Sequence, residues 1–270
     1  MNITLIGGGN MARAIIGGLR NKGFASQAIR VVEVDPGTRD KLQSDYGVLS
    51  FASPQQALPF GELLVIAVKP QQMRAAAAQV APVLSGQLVV SIAAGIRLED
   101  LSRWLGGHRL LVRCMPNTPA LIGAGITAAC ATPQVSLEQR ASAAQILQAV
   151  GKVLWVEDEA LLDPVTAVSG SGPAYVFYFI EAMQQAATEL GLSPQQASTL
   201  TLETFLGAAR LAAGSTEPVS VLRERVTSRG GTTEAALASM TADRVTEAVV
   251  RAIRAASERG RQLGDELGKD

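Results

Sequence analysis

The sequence predicts an α/β fold in two parts: a doubly wound, mostly parallel sheet over residues 1–159, and an all-α domain over residues 160–270. Three observations predict this division. The chain opens with a short apolar strand, a glycine turn and an amphipathic helix. Apolar runs of strand length then alternate with helical patterns as far as residue 156, as in parallel sheets with helical crossovers. After residue 160 no clear strand follows, and the remaining segments have helical spacing.

The composition narrows the classes of function. The 270 residues carry 24 basic and 24 acidic side chains, and a formal net charge of zero disfavours a nucleic acid or a membrane surface as the main partner. No apolar stretch is long enough to cross a bilayer. The two cysteines, Cys114 and Cys130, lack metal-site spacing, as expected of a reduced, cytoplasmic protein. The single histidine, His108, argues against a histidine triad or a multi-histidine metal site, and we expect no metal.

The first twenty residues carry the clearest motif. A strand over residues 3–6 is followed by Gly7-x-Gly9-x-x-Ala12 and a helix that begins near Asn10. This is the context that the dinucleotide-binding fingerprint requires. Gly7 would make the tight turn, Gly9 would let the backbone approach a pyrophosphate, and the helix N-terminus would point free N–H groups at it. The alternative is an ordinary glycine-rich turn, which the surrounding strand and helix disfavour.

The second strand, expected over residues 29–35, ends in acidic residues. Its end lies about twenty residues beyond Ala12, where an acid commonly holds the adenosine ribose hydroxyls. Glu33 and Asp35 both qualify for this contact, and either one can equally be a solvated residue at the end of the strand. An acid here would repel the 2′-phosphate of NADPH. Three basic residues lie nearby and would attract that phosphate: Arg30, Arg39 and Lys41. The sequence therefore leaves NADH and NADPH open.

The rest of the first part continues the alternation. Strands are expected over residues 48–51, 63–68, 88–92, 110–115, 125–131 and 153–156, and helices over residues 38–46, 71–84, 98–105 and 137–150, with a further helix opened by Ser53-Pro54. Lys69 stands at the carboxyl end of a central strand, where such sheets bind ligands, or is a plain solvent-exposed lysine. Ala93 and Ala94 would let a flat ring approach the backbone or form a tight turn. Asn117 would hydrogen-bond a carboxamide or its own turn.

The second part is predicted to be helical over residues 176–190, 195–213, 218–226, 235–240 and 243–264. The first of these helices is apolar over much of its circumference, which suggests cover by a partner subunit. The segment from Gly230 to Thr233 precedes a helix, so its N–H groups and hydroxyls form either an anion site or a plain cap. The charged segment after Leu263 is expected to fray.

Five motifs together resemble the pyrroline-5-carboxylate reductase family over nearly the whole chain. They are Gly7-Gly8-Gly9-Asn10-Met11-Ala12, Ala67-Val68-Lys69-Pro70, Met115-Pro116-Asn117-Thr118-Pro119, Ser169-Gly170-Ser171-Gly172-Pro173-Ala174-Tyr175 and residues 226–233, of which the last two are specific to that family. The resemblance implies an N-terminal Rossmann-type domain and an all-α C-terminal dimerisation domain. It implies reduction of 1-pyrroline-5-carboxylate to L-proline by NADPH or NADH, the last step of proline biosynthesis. It also implies a homodimer with interleaved helical domains, often assembled further into a ring such as a decamer of five dimers.

The resemblance also implies roles for individual residues. Thr166 and Lys69 are the predicted catalytic residues, with Thr166 hydrogen-bonding near the imine nitrogen. Glu159 would line the proline pocket, while the backbone of Gly230, Gly231, Thr232 and Thr233 would grip the substrate carboxylate. The predicted cofactor contacts are Gly7, Gly9, Asn10, Met11, Asp35, Ser53, Ala67, Val68, Lys69, Pro70, Ala93, Ala94 and Asn117. None of these is a strong general acid, so the iminium arrives protonated or takes its proton from water or Thr166.

Two departures from the family pattern bear on the cofactor. Members that favour NADPH often carry Ser or Asn-Arg after the second strand, where this chain has Val34-Asp35. The family also usually has proline at Arg229 and often asparagine at Arg225.

Two alternative functions fit the sequence less well than the reductase. A β-hydroxyacid or other imine reductase of related build would use a lysine on the first long helix of the second domain, and none occurs between residues 160 and 190. A non-catalytic nucleotide sensor would not need residues 230–233.

Overall fold

The computed structural model describes residues 1–58 and 60–269, which form eight strands. The strands are β1 (Ile3–Ile6), β2 (Ile29–Val32), β3 (Leu49–Phe51), β4 (Leu63–Ile66), β5 (Leu88–Ser91), β6 (Leu111–Met115), β7 (Gly125–Ala131) and β8 (Gly151–Trp155). Every predicted strand is present, and most are shorter than their apolar runs. The run at 63–68, for example, contributes only four residues to the sheet, because the strand ends at Ile66.

Twelve α-helices complete the described chain. They are α1 (Asn10–Asn21), α2 (Pro36–Tyr46), α3 (Pro54–Ala57), α4 (Met73–Val80), α5 (Leu98–Trp104), α6 (Leu137–Leu147), α7 (Leu162–Val165), α8 (Gly172–Glu189), α9 (Pro194–Gly214), α10 (Val219–Arg225), α11 (Thr232–Ala242) and α12 (Val245–Leu267). Their ends follow familiar signals. Ser136 and Ser193 each accept a hydrogen bond from a first-turn N–H and form capping boxes, and Gly47 ends α2 in the left-handed region.

The strands form one sheet in the order β3-β2-β1-β4-β5-β6-β7-β8. All neighbours are parallel except β6 and β7. Because the chain runs outward from β1 on one side and from β4 on the other, the order reverses between these two strands. The doubly wound, mostly parallel sheet is therefore confirmed. β1, β4 and β5 are buried at every position, as expected of strands covered on both faces.

The core lies on both faces of the sheet. Alternate residues of one strand belong to different clusters: Leu5 packs with α1 residues such as Ile15 and Leu19, whereas Ile6 packs with Met73 and Val80 of α4. This division follows from the two-residue repeat of a strand. The helices are thus fixed to the sheet by aliphatic packing, and the loops at its carboxyl edge are held by rigid elements.

The described residues divide into two compact units. One comprises residues 1–58, 60–171 and 255–269, and the other comprises residues 172–254. All strands belong to the first, and the second is helical throughout. The boundary at 159/160 stays a prediction, since compactness alone assigns residues 160–171 to the first unit. No helix in the described part of the chain is long and apolar enough to cross a membrane.

The sequence predicts that the segment after Leu263 frays, and this prediction is wrong. α12 continues to Leu267, and Arg97 forms an ion pair of 2.6 Å with Asp265. The Arg103 guanidinium also donates to the Gly268 carbonyl at 2.7 Å. Contacts with arginines far away in the sequence therefore hold this charged segment in place.

Candidate functional site

A cleft opens at the carboxyl ends of β1, β2 and β4, beside the point where the strand order reverses. Its walls include the glycine turn after β1, Glu33 and Val34 after β2, and the segment from Ala67 to Lys69 after β4. In doubly wound sheets this is where ligands bind. The structure thus brings together several residues that the sequence predicts from separate motifs.

Two glycines of the turn, Gly7 and Gly9, have different surroundings. Gly7 has a φ of +99° and donates to the Val32 carbonyl at 2.8 Å, and a Cβ placed on it would lie 2.8 Å from the Ala67 oxygen. Any larger residue here would push β4 away from the turn. Gly9 is different, because a Cβ there would meet no protein atom within 4 Å and would point into open space.

The start of α1 fits a phosphate group. Gly9 is the N-cap residue and supplies no side-chain cap, and the first turn holds no acidic residue. Within α1, the first N–H that donates to another residue is that of Arg13, which bonds to the Gly9 carbonyl at 3.0 Å. The N–H groups of Asn10 and Met11 are therefore available to an anion beside an empty space at Gly9, which is the arrangement that a dinucleotide pyrophosphate needs.

The two acidic candidates after β2 have different surroundings. β2 ends at Val32, so Glu33 is the first residue beyond it. Its carboxylate accepts from the Gly8 N–H at 2.8 Å and from the Asp35 N–H at 2.9 Å. Asp35 instead caps α2 by accepting from the Thr38 N–H at 2.6 Å. Hydrogen bonding by the Thr38 side chain, together with this backbone bond, lowers the pKa of the Asp35 carboxyl. Glu33 lines the cleft, and Asp35 is not among its lining residues.

The nearby arginines are engaged within the protein. Arg30 stacks on Phe60, with its guanidinium carbon 3.6 Å from the ring centroid, and donates to the Ala57 carbonyl. Arg39 donates to the carbonyls of Glu33 and Val34 at 2.7 and 3.0 Å.

The segment after β4 supplies the opposite wall of the cleft. Ala67 and Val68 line it, and Lys69 lies exposed at its rim, where Pro70 begins a 3₁₀ turn. Ser53 precedes Pro54, which also lines the cleft, and the Ser53 side chain makes no cap hydrogen bond.

Small residues at the end of β5 form a close-packed turn. Ala93 is buried, and Gly95 has a φ of +76°. A Cβ on Gly264 of α12 would lie 3.2 Å from the Gly95 carbonyl oxygen. Gly95 and Gly264 therefore let α12 pack closely against this turn, and the approach of a flat ring at Ala93 and Ala94 stays a prediction.

Asn117 joins two segments of the first unit. Its side-chain oxygen accepts from the Ile126 N–H at 3.0 Å, and its side-chain nitrogen donates to the Ser169 carbonyl at 3.2 Å. Both ends of the amide are thus engaged, and contact with a cofactor stays a prediction. The bond to Ser169 fixes the position of the turn that contains Thr166.

Thr166 begins a π-helical turn over Thr166–Gly170. The Ser171 N–H donates to its carbonyl, the i+5 spacing that defines this turn, and the Thr166 hydroxyl donates to the Leu162 carbonyl at 2.7 Å. Single π-turns occur often at functional sites because they re-aim side chains. Since the hydroxyl hydrogen is used, the lone pairs of the oxygen remain available to accept.

Glu159 belongs to a buried ion network that the sequence interpretation missed. Its Oε1 accepts from Arg113 at 2.9 Å and from the Leu98 N–H at 2.8 Å, while Asp163 lies 3.3 Å from the other guanidinium nitrogen. The Arg113 side chain is only 5% exposed. The one available signal was a charged residue in the middle of the otherwise apolar strand β6.

In the helical unit, the segment from Gly230 to Thr233 forms the start of α11. Gly230 has a φ of +73° and donates to the Glu234 carboxylate at 2.6 Å, and Gly231 donates to the Ser228 carbonyl. Gly231 is an N-cap without a side-chain cap. Within the described chain, the N–H groups and hydroxyls of Thr232 and Thr233 have no recorded partner, so these four donors can meet a carboxylate.

No cluster of metal-binding residues occurs among the residues that the structure describes. Burial raises the pKa of both cysteine thiols, so neither forms a thiolate readily.

Comparison with known proteins connects these features. Residues 159–263 match the family model for pyrroline-5-carboxylate reductase dimerisation, and residues 2–95 match a model described as NADP oxidoreductase, coenzyme F420-dependent. A pyrroline-5-carboxylate reductase of Pseudomonas aeruginosa is 47% identical, over 99% of this chain and 98% of that protein.

Solved structures show the same relationship. A pyrroline-5-carboxylate reductase from Coxiella burnetii superposes with a TM-score of 0.92 at 40% identity, covering 97% of this chain and 98% of its own. A pyrroline carboxylate reductase from Plasmodium falciparum, with NADP bound, gives a TM-score of 0.86 at 27% identity and covers 98% of both chains.

Proposed function

The chain belongs to the pyrroline-5-carboxylate reductase family, and on that basis we propose how its residues reduce 1-pyrroline-5-carboxylate to L-proline with NAD(P)H. This reaction is the final step of proline biosynthesis. The observation that carries the proposal is the uncapped N-terminus of α1 beside Gly9, at the point where the strand order reverses. The dinucleotide would bind at this place, and the identity of the substrate is inferred from the family.

The glycine turn and the start of α1 hold the cofactor. Backbone N–H groups of Asn10 and Met11 bind the pyrophosphate, and Gly9 leaves room for it. Bound NAD(P)H supplies the hydride that reaches the imine carbon. The further proposed cofactor contacts are Gly7, Asp35, Ser53, Ala67, Val68, Lys69, Pro70, Ala93, Ala94 and Asn117.

Thr166 acts at the imine nitrogen as a hydrogen-bond acceptor. Its hydroxyl hydrogen is directed to Leu162, so its oxygen accepts the N–H of the protonated iminium and fixes the ring. The substrate therefore arrives protonated, and the proton stays on the nitrogen as the carbon is reduced. Lys69, exposed at the cleft rim, adds positive charge beside the cofactor.

Two further groups bind the substrate. The N–H groups and hydroxyls of Thr232 and Thr233 receive the carboxylate at the start of α11, together with the backbone of Gly230 and Gly231. Glu159 contributes fixed negative charge near the iminium, because its bonds to Arg113 and Leu98 keep it in one position.

We also propose a homodimer formed by the helical unit, with further assembly into a decamer of five dimers. α8 has no buried residue, and Phe177 and Tyr178 are 59% and 70% exposed. A nearby groove between α8 and the start of α12 is lined largely by apolar side chains such as Phe179, Val249 and Ile253. Exposed apolar surface of this extent is typical of an interface with another protein chain. We place the enzyme in the cytoplasm, in keeping with two free, buried cysteines, and propose neither a nucleic acid nor a membrane as a partner.

Steady-state oxidation of NADH and NADPH with 1-pyrroline-5-carboxylate tests the proposal. We expect turnover with at least one dinucleotide, and L-proline as the product by chromatography. A folded protein that binds dinucleotide but turns over with neither would refute the reductase and favour the sensor.

A further inference from the structure

Glu33 occupies the position from which a side chain can reach the adenosine ribose. It is the first residue after β2, and its carboxylate is held at the glycine turn by the N–H groups of Gly8 and Asp35. A Cβ on Gly8 would lie 3.2 Å from the Glu33 Oε2 atom, so the carboxylate lies directly against the turn. Each oxygen uses one lone pair in these bonds and keeps another for a ligand.

On the β2 side, none of the described residues that line the cleft is a cation, and Lys41, which is exposed on α2, does not line it. The residue after Glu33, Val34, is apolar and 75% exposed. Arg30 is stacked on Phe60, and Arg39 is bonded to two carbonyls beneath the strand end. Among the described residues that line the cleft, the one cationic side chain is Lys69, which follows β4 rather than β2.

These surroundings suit a hydroxyl and oppose a phosphate. A carboxylate at the end of the second strand accepts from the ribose hydroxyls of a dinucleotide. The same carboxylate repels a 2′-phosphate, and the repulsion is greater near the protein surface than in bulk water because the effective dielectric constant is lower.

We propose that Glu33 is the specificity-determining residue of the cofactor site and makes this chain prefer NADH to NADPH. The inference rests on the proposed function, since it assumes that the dinucleotide binds at the glycine turn. Of the two acids that the sequence leaves open, it assigns the ribose contact to Glu33 rather than to Asp35, the one that the family resemblance implies. Asp35 stays a predicted contact that the same experiment tests.

Binding is the primary measurement. Isothermal titration calorimetry of the purified protein gives separate Kd values for NADH and NADPH without turnover. We expect NADPH to bind about tenfold more weakly than NADH at low salt, with a smaller difference at high ionic strength. We also expect kcat/KM to be higher with NADH than with NADPH.

Three variants locate the effect. Glu33→Gln keeps an acceptor for the Gly8 N–H and removes the charge, so we expect the preference for NADH to fall about tenfold. Val34→Arg adds a cation at an exposed position without altering the Glu33 bonds, and we expect tighter NADPH binding even if Glu33→Gln folds poorly. Asp35→Asn tests the competing assignment, since it removes the neighbouring charge and keeps an oxygen for the Thr38 N–H. If Glu33 determines the preference, the ratio of the two Kd values changes less in Asp35→Asn than in Glu33→Gln.

The binding results distinguish Glu33 from Asp35 as the residue that determines the preference. A preference for NADH that collapses in Glu33→Gln and persists in Asp35→Asn supports the inference. Equal or tighter NADPH binding by the wild type overturns it, as does a ratio that changes only in Asp35→Asn. Failure of both dinucleotides to bind overturns the cofactor site itself and, with it, the proposed function.

Discussion

Arg113 allows the sharpest test of how the first unit is held together. Its side chain is 5% exposed and meets Glu159 at 2.9 Å and Asp163 at 3.3 Å. Replacing it with methionine keeps much of the volume but leaves two carboxylates without their cation. Loss of one partner of a buried ion pair costs about 3–5 kcal/mol. Because the side chains of Glu159 and Asp163 are 27% and 18% exposed, we expect a value near the lower end, about 3 kcal/mol.

The assay for Arg113→Met is thermal unfolding at fixed protein concentration, because the Tm of an oligomer depends on that concentration. About 3 kcal/mol corresponds to a fall in Tm of about 6–12 °C for a protein of this size. Arg140→Met is the matched control: its pair with Glu157 spans 3.6 Å, and the Glu157 side chain is 85% exposed. We expect the control to change the free energy of unfolding by less than about 1 kcal/mol.

A second substitution tests the cause of the loss. If the unpaired carboxylate causes the destabilisation, Glu159→Gln added to Arg113→Met should recover part of the stability. A fall in Tm no larger than that of Arg140→Met would refute the reasoning. So would strict additivity of the two substitutions, since it would mean that Arg113 and Glu159 are not coupled.

Three further predictions concern binding. Gly9→Ala should weaken dinucleotide binding at least tenfold by calorimetry and leave Tm unchanged, since its Cβ meets no protein atom; a large fall in Tm would contradict this. Thr233→Ala should raise the KM for 1-pyrroline-5-carboxylate several-fold more than the Kd for the dinucleotide, and equal losses would count against a carboxylate contact. Phe177→Glu together with Tyr178→Glu should yield a smaller species by analytical ultracentrifugation, because charge is then introduced into the exposed apolar face of α8; an unchanged mass would place the interface elsewhere.

Local patterns were enough to predict most of the fold. Most strands of the sheet are short, mainly apolar runs, and the glycine turn marks the start of the first crossover, because both depend on residues close in the sequence. The end of β2 shows the limit of this approach. The apolar run alone did not indicate that pairing stops at Val32, which makes Glu33 rather than Asp35 the residue at the strand end.

Features that depend on distant partners were not predictable in this way. Arg113 lies 46 residues from Glu159, and no local pattern joins a strand residue to a carboxylate that far along the chain. The π-turn at Thr166 depends on hydrogen-bond spacing that no residue type specifies. The ordered end of α12 depends on Arg97, which lies 168 residues before Asp265.

The membership of residues 255–269 in the first unit has a consequence for synthesis. These residues are translated after the entire helical unit, yet Asp265 and Gly268 bind Arg97 and Arg103 beside the β5 turn. Domains generally fold in the order in which the ribosome releases them. Here the nascent nucleotide-binding unit cannot form its last contacts until α12 emerges. If translation stopped after residue 254, all eight strands would be present, but the helical segment that binds Arg97 and Arg103 would be missing.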